Sequence, residues 1–181
     1  MNESSTVFGA VKRFIGFDAG DIDNLRALAP IFAADGPALT DAFYERLGAE
    51  PTTAALIAGR VDALKATHAR WMAGLFAGEY GDDYLADRLR IGQVHVRVGV
   101  PPWWVEAVFS FLRGAGVDLL DRRVPDPERR GALICSFFRI LDLDLLLINL
   151  AYGEERLDRL CAFTGMSRTL LERCVDGGRR K

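Results

Sequence analysis

Apolar residues recur along this chain at intervals of three and four, glycine and proline fall between the periodic stretches, and strand-like alternation is nearly absent. The pattern predicts an all-α fold. A first helix opens at Asp21 and carries Leu25, Leu28 and Ile31 to about Asp35, with Pro30 as a kink. Gly36-Pro37 starts a second, with Leu39, Phe43 and Leu47 on its apolar face, closing near Glu50-Pro51. A third, long helix after Pro51 lines up Leu56, Ile57, Val61, Leu64, Trp71, Leu75 and Phe76 in one wide stripe and stops at Gly78. The fourth starts at Asp82-Asp83, acids that suit the positive end of a helix dipole, and continues through Leu85, Leu89 and Ile91 to His95 and about Val98.

A fifth helix opens with Pro101-Pro102-Trp103-Trp104, proline being at home in a first turn, and runs to about Leu120. Val124-Pro125-Asp126-Pro127 breaks the chain, and the sixth helix runs from about Glu128 to at least Leu160, roughly 50 Å at the usual rise. Within it Ile140, Leu141, Leu143, Leu145, Leu146, Leu147, Ile148 and Leu150 cover more than one face, and a helix apolar on several sides is buried on several sides. One side packs on the core and another meets a partner, which predicts a symmetric homodimer through this helix together with the fifth. No repeat or low-complexity segment interrupts the pattern. Residues 1–181 read as a single domain, with 1–16 an N-terminal segment and 161–181 a C-terminal extension of the last helix, ending in the tail Gly177-Gly178-Arg179-Arg180-Lys181.

Composition narrows the classes. A chain of 181 residues that is 50% hydrophobic can bury a full core, and a net charge of -2 with acids and bases interspersed offers no basic field for nucleic acid. The first residues are polar and acidic, and Lys12 and Arg13 break the apolar stretch to Phe17, against a secretory signal. The greasiest run, Ile140 to Ala151, carries Asp142, Asp144 and Asn149 and is too short to span a bilayer. A cytoplasmic protein without membrane or nucleic-acid partners is expected. Cys135, Cys161 and Cys174 form neither a C-x-x-C pair nor a C-x-x-C-H haem attachment, and read as reduced core or interface thiols.

There are two histidines. A lone histidine on an apolar helix is more often a hydrogen-bonded core residue than a ligand. His95, however, lies near a helix end among Ile91, Val94, Val96 and Val98, a setting that suits a neutral imidazole binding iron through one nitrogen. The other nitrogen then needs an acceptor, and the carbonyl of Ile91, one turn back, is the nearest.

The stretch Leu64-Lys65-Ala66-Thr67-His68-Ala69-Arg70-Trp71, followed by Leu75-Phe76-Ala77-Gly78 and by Ile91-Gly92-Gln93-Val94-His95-Val96-Arg97-Val98-Gly99-Val100-Pro101-Pro102-Trp103-Trp104, resembles the haem domain of globin-coupled sensors, the protoglobin-like sensor globins. Leu141 to Leu146 and Ala151-Tyr152 are similar to the family's last helix, and the likeness extends from about Phe17 to Leu160. Where members often carry a tyrosine after Pro-x-Trp, this chain has Val105.

The resemblance implies a globin fold with an extended last helix, a non-covalent haem b, and His95 as the proximal ligand of its iron. Tyr44 occupies the place of a tyrosine whose hydroxyl reaches bound ligand on the distal side, and Thr67 the place of a second polar distal residue. Phe43, Leu64 and Trp71 join them as cofactor-binding residues; Leu64, Thr67 and Trp71 share one helical face that covers the haem. His68 falls beside that stripe, either as a sixth iron ligand or as a helix-packing residue. Lys65, Arg70, Arg88 and Arg97 are the basic side chains available to the propionates. The implied function is sensing of O2, or of CO or NO, coupled to a signalling partner or an output domain, without catalysis. The alternatives are a haem enzyme acting on NO or peroxide, with His68 the one acid-base group to spare, and a haem-free helical dimerisation module.

Overall fold

A computed structural model of the protein describes residues 3–177, and these form eight helices with no strand among them. The first, α1 (Glu3–Phe14), lies in the segment before the predicted elements. It is docked by Phe8, which is buried and stacked on Tyr84, and by Lys12, whose ammonium donates to the Tyr80 carbonyl at 2.8 Å.

Where two helices were expected over 21–50, the chain forms one, α2 (Ala19–Ala49), with Pro30 and Pro37 both inside it. Each proline removes a backbone donor, but the buried face of Leu25, Leu28, Phe32, Thr40, Phe43 and Tyr44 runs straight past both, so packing overrides the break. Asp18 and Asp21 cap its start reciprocally. The long third helix divides instead into α3 (Pro51–Ile57) and α4 (Val61–Leu75). The cause is Gly59, whose φ of +70° is left-handed and ends a helix that the apolar stripe alone would have carried through.

The remaining elements follow the predicted order. α5 (Asp82–Arg97) and α6 (Pro102–Arg123) lie within a few residues of expectation, and α7 (Pro127–Thr164) is a 38-residue rod ending at Gly165, another left-handed glycine. The C-terminal stretch is therefore not one continued helix: α8 (Arg168–Gly177) is separate, and the tail beyond Gly177 lies outside the described residues.

α7 is the axis of the core. Ile140, Leu141, Leu143, Asp144 and Leu147 are completely or almost completely buried against α1, α2, α5 and α6. Leu145, Leu146, Asn149 and Leu150, on its other side, remain half-exposed. Cys135 and Cys174 are exposed and Cys161 half-buried, so the thiols are free as expected but none is a core residue. No helix among the described residues is long and apolar enough to cross a membrane.

Candidate functional site

His95 sits in the last turn of α5, and its Nδ1 lies 2.8 Å from the Ile91 carbonyl. A carbonyl can only accept, so Nδ1 carries the proton and Nε2 keeps its lone pair. Burial lowers the pKa of the ring, opposed by the Ile91 bond, which favours the neutral form a metal needs. On either side of it Val94 and Val98 stay 44% and 39% exposed, an apolar edge on an otherwise docked helix.

A second group of residues comes from α2, α4 and α6. Phe43 and Tyr44 on α2, His68 and Trp71 on α4, and Phe109 and Phe111 on α6 form a continuous aromatic cluster. Phe43 is 4.8 Å from Tyr44 and 5.0 Å from His68, centroid to centroid, and His68 is 5.2 Å from Trp71. Tyr44 is buried and its phenol is pushed up to about 12, so the hydroxyl remains a donor throughout the physiological range.

The face shared by Leu64, Thr67 and Trp71 is split by its surroundings. Leu64 is half-buried; Thr67 is exposed and donates to its own helix at the Ala63 carbonyl, 3.0 Å away, while accepting from Arg70. The polar residue inside the aromatic cluster is its neighbour His68, about 100° further round the helix. His68 Nδ1 lies 3.0 Å from the Thr40 hydroxyl, its Nε2 is buried without a partner, and burial drives its pKa down to about 4.

Trp71 does more than close the cluster: its indole nitrogen donates to Asp144 Oδ2 at 2.6 Å. Asp144, fully buried on α7, also accepts from the Tyr84 hydroxyl and from Arg88 Nε at 3.0 Å. Arg88, 3% exposed, returns to α4 through a 3.2 Å bond to the Trp71 carbonyl. By sequence alone Arg88 is one of four basic side chains available to the propionates, and Asp144 argues against a membrane span. An acid in the middle of a leucine run is itself the signal of a buried partner, and that signal pointed here. Of the other basic candidates, Lys65 is paired with Asp41 at 2.7 Å and Arg97 is exposed.

No group of three or more metal-ligating side chains occurs among the described residues. One histidine with a free Nε2, an adjacent apolar edge and a tyrosine donor do not make a site for a bare ion. They do fit haem, whose ring supplies four of the iron's ligands itself.

The sequence pattern of the protoglobin family matches residues 6–171. The chain belongs to that family. Its globin fold is that of the globin domain of a Geobacter sulfurreducens globin-coupled sensor: the TM-score is 0.76 at 30% identity, over 80% of this protoglobin and 96% of that domain. The ferric globin domain of E. coli DosC shares the fold at 19% identity and a TM-score of 0.63, over 69% and 87% of the two chains. In sequence, the heme-based aerotactic transducer HemAT of Halobacterium salinarum is 38% identical over 139 residues, 72% of this protoglobin. The chain spans only 28% of the length of that relative.

Proposed function

We propose that this protoglobin binds haem b through His95 and senses a diatomic gas, O2 foremost, with CO and NO as further ligands. The observation that carries the reading is the Nδ1 bond of His95 to Ile91, which leaves Nε2 as a neutral ligand atom beside an exposed apolar edge. Haem supplies the iron at which the gas binds. His95 holds it from the α5 side, Val94 and Val98 lie along the apolar edge, and Phe43, Leu64 and Trp71 wall the other side. Tyr44 donates a hydrogen bond to a ligand that gains negative character on binding, a stronger bond in a dry pocket than in water. Thr67 is second in this role, because its hydroxyl is already engaged by Ala63.

The sensing result is passed to a separate signalling protein or to an output domain, as the name of the HemAT relative suggests for that protein. The chain acts as a homodimer in the cytoplasm, joined through the half-exposed side of α7 with α6, and it is not itself an enzyme. Absorption spectra of the ferric, ferrous and CO-bound forms test the reading. A Soret band that disappears in His95→Ala supports it. A wild-type protein without the band, or a band that His95→Ala leaves unchanged, refutes it. A solution mass of one chain refutes the dimer.

A further inference from the structure

α5 is pinned to α7 on both sides of His95. Seven residues before it, Arg88 Nε bonds Asp144 at 3.0 and 3.2 Å, and the guanidinium lies over the Tyr84 ring, 4.3 Å from its centroid. Three residues before it, Gly92 lies so close to α7 that a Cβ would stand 2.6 Å from the Ala151 Cβ and 3.0 Å from the Ile148 carbonyl oxygen. Five residues after it, the Val100 amide donates to the carbonyl of His95 itself at 2.9 Å, and the Val100 carbonyl accepts from the Tyr152 hydroxyl at 2.6 Å. The contact points advance in the same direction along α7 and along α5 with the turn that follows it: 88 with 144, 92 with 148 and 151, and 100 with 152.

From this ladder we infer that Asp144 and Tyr152 are positioning residues for His95, and that α5 and α7 move as one body carrying any displacement of the histidine into the long helix. Several physical facts point the same way. A buried ion pair with extra donors holds its geometry, because separating the partners strands a charge in the core. Close packing of Gly92 on the Ala151 Cβ and the Ile148 main chain leaves no flexible side chain to absorb a shift. The carbonyl of His95 is one hydrogen bond from Val100 and two from Tyr152, so the residue is coupled to α7 through its own main chain. Asp144 also holds Trp71 of the aromatic cluster, so the same carboxylate fixes both walls.

The inference rests on the haem reading only for what displaces His95, and its test has one arm that needs no cofactor. Three variants serve: Tyr152→Phe, which deletes one hydroxyl; Trp71→Phe, which leaves the ion pair intact; and the double change Arg88→Met with Asp144→Leu, which replaces the pair by apolar groups of similar size and keeps the fold accessible. Hydrogen exchange on the protein without haem is expected to show the amides of 96–100 opening about fivefold faster in Tyr152→Phe, and those of 85–92 faster in the double variant, with α2 unaffected. Unchanged exchange in both segments overturns the proposal.

The second arm uses haem-loaded protein. The iron–histidine stretch in resonance Raman is expected to shift or broaden in Tyr152→Phe and in the double variant more than in Trp71→Phe, which alters the haem wall but keeps the ion pair. The CO-dependent change in exchange over 144–156 should fall to a small fraction of the wild-type value. Variants that retain both at wild-type size overturn the proposal. A wild-type protein with no Soret band refutes the haem reading instead, and the first arm still decides this one.

Discussion

The imidazole of His68 is held from α2 by the hydroxyl of Thr40, 3.0 Å from Nδ1, while its Nε2 is buried with no partner. This places a titratable ring where protonation puts a charge among aromatic side chains. Its ring neighbours are Phe43, Tyr44 and Trp71, and Tyr44 stays neutral because its phenol lies at about 12. With a folded pKa of about 4 against an ordinary 6.5, the unfolded chain binds more protons between those values, so stability rises with pH across that window. Denaturant titrations are expected to show a loss on the order of 3 kcal/mol as pH falls from about 6.5 to about 4. His95, also lowered by burial, contributes in the same window, so His68→Leu should flatten the dependence without abolishing it. An identical pH profile in that variant would remove His68 from the account.

Tyr44→Phe deletes the proposed distal donor and little else. A hydrogen bond to a partly charged acceptor corresponds to on the order of tenfold in affinity, appearing mainly as faster O2 release. Affinity for CO, which gains less charge, should change much less. Because the phenol stays protonated, wild-type O2 affinity is expected to be flat from about pH 6 to about pH 9 as far as this residue is concerned. Equal losses for the two gases would mean that Tyr44 acts by shape alone.

Asp144→Ala takes from Arg88, 3% exposed, its buried counter-ion and leaves it with the half-exposed Asp87 at 2.7 Å, next to the Tyr84 ring. The expected cost in a denaturant titration is about 3–5 kcal/mol, the range for breaking a buried pair from one side. Arg88→Met with Asp144→Leu should lose less, the residual cost being that of the Tyr84 hydroxyl and the Trp71 indole left without their acceptor. A double variant as unstable as Asp144→Ala would show that the pair holds the fold together by more than the cancellation of its own charges.

Gly92→Ala forces a methyl to within 2.6 Å of the Ala151 Cβ and against the Ile148 backbone. The neighbouring atoms are the Ala151 Cβ, fixed to its backbone, and the Ile148 main chain, none of which can swing aside, so the helices have to separate, at about 1–3 kcal/mol. The same substitution at Gly114, where a Cβ meets nothing within 4 Å, is expected to be neutral or stabilising. The two melting temperatures, compared directly, check this.

How much of this was legible beforehand depends on the range of the interaction. Period and end signals placed α5, α6 and α7 closely, because Asp82-Asp83, Pro101-Pro102 and Val124 to Pro127 act on their own neighbours. The same local rules misplaced the helix boundary at Gly36-Pro37: a proline's local preference for a break is small beside the burial of Phe32 and Phe43 on either side of it. Gly59 was passed over for the opposite reason, since the apolar stripe looked continuous while one positive φ ended the helix. The bond between His95 and Ile91 was readable because it spans one turn. The placing of His68 rather than Thr67 in the aromatic cluster was not, because the two differ by one position and Thr40, 28 residues away, decides between them. Asp144 stood out in the sequence as an acid among leucines, but its partners lie 56 to 73 residues off and follow no local period.

The anchors on α5 bear finally on how the molecule is assembled. A helix fastened ahead of His95 by an ion pair and behind it by a tyrosine is ordered by the polypeptide's own contacts. Little disorder is left for a cofactor to remove, so little of its binding energy is diverted to folding. The chain can then finish folding before haem arrives, and scarcity of haem would lower the fraction loaded without lowering the amount of protein that survives.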